Sequence, residues 1–423
     1  MRKALWSLAL LGLLTGGRTA SAATCGIEAE PAATLLLPYF EVALSCANGG
    51  LNTLFSINNA SANAVLTHVV IWSDLSVPVL SFNVYLTGYD VQSIGLCDVL
   101  VKGLLPQTAS VGQDPNDTIS PKGTLSQDVN FSSCSGQLPP GNLPASFLAH
   151  LQTSLTGQFS SLLGGCAGLA YGDNIARGYV TVDTVSNCTL RFPGDAGYFA
   201  ADGTGDATDQ NVLLGDYDYI NSTTNFAQGY TMVHVQADPN DPETSASGQY
   251  TFYGRYVNWT AIDHRQPLAT NFFARYQNGG PTSGITTLTT WRDSKVQQGA
   301  FKCGTAPAWY PLTQARIVAF DEQEHAVQSS LIFPFPAEAG RIGVGSANLP
   351  TPFTFGWILF DLNATAGTVP PEDPLAQQAW MTLSIDAQVG TAHFNVGYPA
   401  FQLDTARDRV RGCRTNIFFK PPQ

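Results

Sequence analysis

The strongest constraint on the fold is an alternation of apolar and polar residues with a period of two. In residues 80–87 (LSFNVYLT) a large apolar residue occupies every second position. Successive side chains of a β-strand point to opposite faces, so this spacing gives a strand with one apolar face. Similar patterns recur at 180–183, 232–236 and 381–386, and residues 67–72 are rich in β-branched residues, which are typical of strands. We therefore predict a mainly β protein built from antiparallel β-sandwich modules with one amphipathic helix and long loops.

The single amphipathic helix is expected after the loop-rich residues 103–145. Pro144 suits the first turn of a helix, and Gly164 and Gly165 are expected to end it. Apolar residues follow Pro144 at helical intervals: Phe147, Leu148, Leu151, Leu155, Phe159 and Leu162. We also predict an aromatic strand over 249–256 and one short helical turn over 374–380.

The length of 423 residues exceeds what one hydrophobic core usually serves, so two domains are expected. Composition and pattern divide the chain into four parts. These are a signal peptide (1–22), N-terminal β-sandwich strands (23–110), a loop and helix insert (111–176) and a second β-rich region (177–423).

The first 22 residues have the three parts of a secretory signal peptide. Arg2 and Lys3 precede an apolar run over 4–14, and small residues at 20–22 (ASA) form a cleavage motif. The apolar run is shorter than the roughly 20 residues that span a bilayer. We expect cleavage after Ala22 and an extracytoplasmic location, in the periplasm, the cell envelope or the medium. The alternative is an N-terminal membrane anchor.

All eight cysteines lie outside the signal segment: Cys25, Cys46, Cys97, Cys134, Cys166, Cys188, Cys303 and Cys413. An even number of cysteines in an exported chain predicts disulfide bonds. Eight cysteines allow too many pairings for the connectivity to be read from sequence. We expect Cys134 to pair with Cys166 because both border the insert. Free buried thiols are the alternative.

The charge balance disfavours a nucleic-acid partner. The formal net charge is −12, and loss of the cations Arg2, Lys3 and Arg18 with the signal would make it −15. Phosphate binding requires clustered lysine and arginine, which this chain lacks. A protein or a glycan at the cell surface is a more suitable partner, and the mature chain is expected to have no transmembrane anchor.

A glycine-rich acidic loop is the candidate metal site. Asp202, Asp206 and Asp209 lie close together in it, and Asp216 and Asp218 follow shortly. Calcium takes about six to eight oxygen ligands from flexible loops, so it is a possible cofactor. The spacing departs from the EF-hand pattern, and an exposed turn is the alternative reading. The sequence contains neither a G-x-S-x-G nor an H-E-x-x-H motif.

Two short charged stretches in a chain with only 12% charged residues are candidate binding residues. The stretches are Asp263, His264 and Arg265, and Trp291, Arg292 and Asp293. They predict either a binding surface or a structural ion-pair network. Carbohydrate binding would additionally use exposed aromatic side chains, and the available tryptophans are Trp72, Trp259, Trp291, Trp309, Trp357 and Trp380.

Several strings together resemble a family of uncharacterised secreted bacterial proteins. They are 52–59 (NTLFSINN), 86–92 (LTGYDVQ), 177–183 (RGYVTVD), 291–295 (WRDSK) and 303–310 (CGTAPAWY). The resemblance covers most of the mature chain and implies export and a bacterial source. It implies no activity and assigns no functional residue.

The leading functional hypothesis is an exported, non-catalytic β-sandwich protein with a binding, adhesive or envelope-structural role. One alternative is an exported hydrolase acting on glycans through residues distant in sequence. Another is a calcium-stabilised surface protein. A cleft that holds two close carboxylates would favour the hydrolase, whereas a flat aromatic patch would favour binding.

Overall fold

The computed structural model describes most of the chain from Glu30 onwards. The described residues are 30–106, 142–201, 205–241, 244, 251–257, 261–305, 307, 310, 312, 314, 316–328, 337–347, 349–362 and 378–405. Within them the protein is mainly β with several antiparallel sheets, as the alternation predicts. Cys25, Cys134, Cys413 and Asp202 lie outside the described residues.

The first half of the chain forms a β-sandwich. Its strands are β1 (Thr34–Ala43), β2 (Leu51–Asn59), β3 (Val65–Ser73), β4 (Pro78–Leu86), β5 (Val91–Gly95), β6 (Ile175–Val185), β7 (Leu213–Asn221), β8 (Phe226–Thr231) and β9 (Val233–Val235). One sheet has the order β4-β3-β6-β1-β9 and the other the order β5-β2-β7-β8. Apolar side chains of both sheets, among them Leu37, Phe55 and Val69, share one core.

Polar contacts also join the two sheets of this sandwich. The Tyr219 hydroxyl donates to the Tyr39 carbonyl at 2.7 Å, which links β7 to β1. The Thr53 hydroxyl donates to the Glu41 carbonyl at 3.0 Å, which links β2 to β1. β1 and β3 are buried on both faces along almost their whole length. Their sequences are therefore mostly apolar and show little alternation.

The second half forms a further sandwich from one folded sheet. Its strands are β10 (Ala269–Gly279), β11 (Gly284–Arg292), β12 (Arg316–Phe320), β13 (Ala326–Gln328), β14 (Ala339–Gly343), β15 (Phe355–Asp361), β16 (Ala379–Val389), β17 (Ala392–Pro399) and β18 (Phe401–Thr405). β10 and β11 pair only at their hairpin end. Beyond it, β10 pairs with β15 and β18 while β11 pairs with β14 and β16. The two layers enclose a separate core that includes Phe272, Leu288 and Phe360.

Three α-helices lie among the described residues: α1 (Leu96–Leu100), α2 (Ala145–Leu155) and α3 (Gly254–Val257). α2 begins after Pro144 as predicted, but the predicted extension to Leu162 is wrong. Gly157 takes a φ of 70°, and a Cβ there would lie 2.2 Å from the Leu169 carbonyl carbon. The chain therefore leaves the helix, and Phe159 and Leu162 become exposed.

The aromatic strand predicted over 249–256 is also wrong in its described part, which contains a turn and α3. Phe252 and Tyr253 are consecutive and both buried, with ring centroids 4.8 Å apart. A strand would send neighbouring rings to opposite faces, so a helical turn serves this packing better. Of the helical turn predicted over 374–380, the described residues 379 and 380 belong to β16.

Two described disulfide bonds link distant parts of the chain. Cys46 pairs with Cys97, and Cys166 pairs with Cys303. The expected Cys134–Cys166 pair is therefore wrong. The backbone explains the partner, because Cys166 and Phe301 exchange hydrogen bonds of 2.9 and 3.0 Å that bring Cys303 alongside. Cys188 is disulfide-bonded as well.

The junction of the two sandwiches contains polar contacts between strands far apart in sequence. Arg341 of β14 donates to the Glu41 carboxylate of β1 at 2.7 Å. The Tyr230 hydroxyl of β8 donates to the Leu383 carbonyl of β16 at 3.0 Å. None of the helices in the described ranges is long and apolar enough to cross a membrane. The proposed division into domains stays a prediction.

Candidate functional site

The first charged stretch is buried in the N-terminal sandwich. Asp263 and Arg265 are each only 1% exposed. Arg265 donates to the Asp263 and Thr208 carbonyls, both at 2.7 Å, and to the Thr34 hydroxyl at 3.0 Å. His264 lies 2.6 Å from a carboxylate oxygen of Asp209. These contacts form an ion-pair and hydrogen-bond network, one of the two interpretations that the sequence left open.

The second charged stretch forms a separate buried network. Arg255 pairs with Asp293, and its guanidinium also lies 2.7 Å from Glu338. Burial alone would raise the pKa of Asp293, but Arg255 and Lys295 together hold it well below its usual range. Burial raises the pKa of Glu338 despite Arg255. The network therefore concentrates charge in the interior rather than on a surface.

The two neighbours of Asp293 in this stretch are buried as well. Trp291 is 3% exposed and stacks on Phe252 with ring centroids 5.6 Å apart. Arg292 donates to the carbonyls of Leu312 at 3.1 Å and Leu362 at 2.9 Å, and burial lowers its pKa to about 10. These contacts hold backbone in place and leave no face for a large partner.

Two of the three predicted calcium ligands have cationic partners. Asp206 lies 3.0 Å from Arg191, and Asp209 lies between His264 and Arg265. Among the described residues no three His, Cys, Asp or Glu side chains are grouped so that they could hold a metal ion. Because Asp202 is outside those residues, calcium binding by the loop stays a prediction.

The best candidate for a functional site is a cleft of about 530 Å³ at the junction of the two sandwiches. One wall comes from β7, β8 and β9 and contributes Asp216, Asp218 and Tyr230. The other wall comes from β16 and β17 and contributes Trp380 and Tyr398. Volumes of this order are typical of pockets for small molecules.

The alternation of β7 determines which residues reach the cleft mouth. Tyr217 and Tyr219 point into the sandwich and are buried, so Asp216 and Asp218 point out and are exposed. Asp216 accepts a hydrogen bond of 2.8 Å from the Ser56 hydroxyl. Asp218 lies over Gly229 of the neighbouring strand, where a Cβ would approach its carboxylate to 2.5 Å. The glycine thus leaves room for the carboxylate.

Electrostatics at the mouth are unfavourable for two negative charges. Burial, and then the nearby Asp216, raise the pKa of Asp218. Neither carboxylate forms an ion pair with any described residue. Several buried acids, such as Glu41 and Asp293, do have a cationic partner. Asp216 and Asp218 are therefore anionic groups available to a ligand.

Aromatic side chains form the deeper part of the cleft. Tyr230 stacks on Tyr217 with centroids 5.4 Å apart. Tyr398 lies opposite Leu383 on β16, so its ring packs against the core of the second sandwich, where its hydroxyl donates to the Arg275 carbonyl at 2.9 Å. Trp380 is 7% exposed and belongs to the core of the first sandwich. Rings held in this way offer a rigid, partly apolar floor to a ligand.

Unpaired polar atoms also concentrate beside this cleft. His234 Nδ1, Trp380 Nε1 and both amide atoms of Gln228 are shielded from solvent and have no hydrogen-bond partner among the described residues. His234 Nε2 accepts from the Gly215 amide at 3.1 Å, and burial lowers the pKa of His234, so Nδ1 bears the proton of a neutral ring. Each such buried atom costs about 1–3 kcal/mol. These unpaired atoms lower the stability of the protein, and a ligand in the cleft could supply their missing hydrogen-bond partners.

The second surface of interest is an aromatic patch on the outer face of the β10–β15 layer. The Phe273 and Trp357 rings stack with centroids 5.1 Å apart, and Phe401 lies 5.9 Å from Trp357. Of the candidate tryptophans, Trp357 is the one on this patch, whereas Trp72, Trp291 and Trp380 are buried. Trp259 and Trp309 lie outside the described residues.

Nucleophilic catalysis finds no geometric support in the described part of the chain. His150 contacts the hydroxyls of Ser160 at 2.7 Å and Ser154 at 3.2 Å, but its other nitrogen faces the Val79 carbonyl. His264 has a carboxylate partner but no serine in contact. None of the described histidines contacts both a serine and a carboxylate, the arrangement that activates a serine nucleophile.

The sequence alone does not predict the cleft, although it contains one signal for it. Asp216 and Asp218 follow the glycine-rich acidic loop, and residues 215–219 (GDYDY) alternate acid and tyrosine. That pattern predicts a strand with carboxylates on one face and rings on the other. The wall from β16 and β17 lies more than 140 residues further along the chain and had no such signal.

No family model matches the sequence. No curated protein matches it either.

Proposed function

We propose that the protein is exported from the cytoplasm and binds a saccharide, without modifying it, in the cleft between the two sandwiches. The observation that carries the proposal is the combination of free carboxylates at the mouth with fixed aromatic rings below. Sugar hydroxyls donate to carboxylates, and the apolar face of a sugar ring packs on an aromatic ring. The two described disulfide bonds and the N-terminal signal pattern support export.

Binding is tested by calorimetric titration of the oxidised chain with a panel of oligosaccharides, and product analysis tests turnover. We expect binding without new products. Asp218→Asn should weaken binding about tenfold, since a hydrogen bond to a charged group contributes roughly 1.5 kcal/mol or more. Asp386→Asn is the matched control, because Asp386 is exposed on β16 but does not line the cleft. Equal affinities of the two variants would refute the assignment of the site.

Export is tested separately by cell fractionation and N-terminal sequencing of the recovered protein. The mature chain is expected to begin at Ala23 and to be found outside the cytoplasm. Recovery of the intact N-terminus with reduced cysteines from the cytoplasm would refute export.

A glycan hydrolase is the second candidate, because one observation favours it. Asp216 and Asp218 are two residues apart on one strand face, which separates their backbones by roughly 7 Å. Inverting glycosidases hold their carboxyl groups about 6.5–9.5 Å apart and raise the pKa of the acid. Burial and Asp216 raise the pKa of Asp218 in this direction. Turnover of any glycan that is lost in both Asp216→Asn and Asp218→Asn would establish this function instead.

A further inference from the structure

The charge of the cleft lining restricts the ligand further. Among the described residues that line it are two aspartates and no lysine or arginine. His234 is neutral because burial lowers its pKa. Two arginines of the second sandwich have other partners, since Arg341 pairs with Glu41 at 2.7 Å and the Arg275 guanidinium lies 5.9 Å from the centroid of the Tyr398 ring. An anionic ligand would therefore meet only repulsion at the mouth.

A neutral ligand would leave the repulsion between the Asp216 and Asp218 carboxylates uncompensated. Hydroxyl groups can donate to Asp216 and Asp218, but they do not offset the repulsion between the two carboxylates. A cation placed between them would offset it, because its attraction to each carboxylate opposes their mutual repulsion. The Tyr230 ring of the same cleft would add a cation–π contribution.

Resting on the saccharide-binding function proposed above, we infer that the ligand is an amino sugar with a free, protonated amine, held by Asp216 and Asp218 at the mouth of the cleft. Its ring faces the aromatic floor, and its hydroxyl groups supply the polar contacts. Acylation of the amine removes the charge and adds bulk at the point where the two carboxylates lie.

The experiment is a calorimetric titration of the oxidised full chain with glucosamine oligosaccharides that have free amines, and with the same oligosaccharides after complete N-acetylation. The free amines should bind at least tenfold more tightly. The double variant Asp216→Asn/Asp218→Asn should lose this preference and bind both forms with similar, weak affinity. If the double variant unfolds, the single exposed substitution Asp218→Asn provides the same comparison.

A control separates specific recognition from the general attraction of an acidic protein for cations. The variant Glu322→Gln/Asp386→Asn removes the same charge from exposed positions outside the cleft, so its preference for the free amine should match the unsubstituted chain. An equal loss of preference in both double variants would overturn the inference. Equal or tighter binding of the N-acetylated form would overturn it while leaving saccharide binding intact. If the protein binds neither form and binds no other saccharide of the panel, the proposed function itself is overturned.

Discussion

Individual charged residues divide into those that stabilise the interior and those that are available at a surface. Asp293, Glu338 and Arg255 are buried together and satisfy one another, whereas Asp216 and Asp218 are exposed without a cation. The same residue type thus has different roles because desolvation makes an unpaired charge costly only in the interior. Two predictions at this scale concern buried ionisable groups.

Arg255→Met should be strongly destabilising. The side chain of Arg255 is only 2% exposed, and its removal leaves Asp293 and Glu338 buried together without their shared cation. Loss of one partner of a buried pair typically costs about 3–5 kcal/mol. The matched control is Lys102→Met, since Lys102 and Asp98 form a pair with side chains 46% and 51% exposed. That substitution should cost about 0–1 kcal/mol. Chemical unfolding of both variants measures the difference, and similar costs would contradict the prediction.

Asp74→Asn should make stability less dependent on pH. Asp74 is buried and accepts a hydrogen bond of 3.1 Å from the Leu169 amide, and burial raises its pKa from 3.8 to about 7. Between these two values the unfolded chain releases the proton while the folded protein retains it. The contribution of Asp74 to the free energy of unfolding therefore falls as pH rises through this window and is constant above it.

The measurement compares the free energy of unfolding of the variant and the unsubstituted chain across that window. Their difference should shift in favour of the variant as pH rises. Asp263, whose pKa burial raises to about 6, titrates equally in both proteins and cancels in the difference. A difference that does not change with pH would show that Asp74 keeps its ordinary pKa in the folded protein.

At the scale of elements, alternation identified strands well and ends of helices poorly. β4, β6 and β16 lie where the period-two patterns predicted them. The helix prediction ran seven residues past the observed end at Leu155 because Phe159 and Leu162 continue the apolar spacing. What ends the helix is the close approach of residue 169 to Gly157, a tertiary contact that the spacing does not encode.

Gly157→Ala tests this explanation for the end of α2. Gly157 has a φ of 70° and lies against the Leu169 carbonyl, so a Cβ adds both backbone strain and a clash. We expect a cost of about 3 kcal/mol or more. Gly164→Ala is the control, since Gly164 has a φ of 69° but no atom within 4 Å of a Cβ. Strain alone should cost about 1–2 kcal/mol. Equal loss of stability in the two variants would remove the clash from the explanation.

The whole molecule is two sandwiches joined by contacts between residues far apart in the chain. The Cys166–Cys303 disulfide closes a loop of 137 residues, and the Cys46–Cys97 disulfide closes one of 51. In the chain-entropy view a disulfide stabilises by restricting the unfolded chain, more strongly for the longer loop.

Double substitution of each disulfide by serine tests this view. Loss of Cys166–Cys303 should lower the free energy of unfolding by about 2–5 kcal/mol, and loss of Cys46–Cys97 by about 1 kcal/mol less. Chemical unfolding under oxidising conditions provides both values. A larger cost for the shorter loop would indicate that local packing around Cys97, which is 6% exposed, dominates instead.

The sequence by itself determined the β class, the position of many strands and the use of cysteines in disulfides, because each depends on local pattern or composition. The tertiary structure alone decided that Cys166 pairs with Cys303, that the charged stretches are interior networks and that a cleft exists. Its walls, like the contact between Glu41 and Arg341, join residues separated by well over 100 positions. Local periodicity specifies which face of a strand is buried, but only packing specifies which distant face it meets.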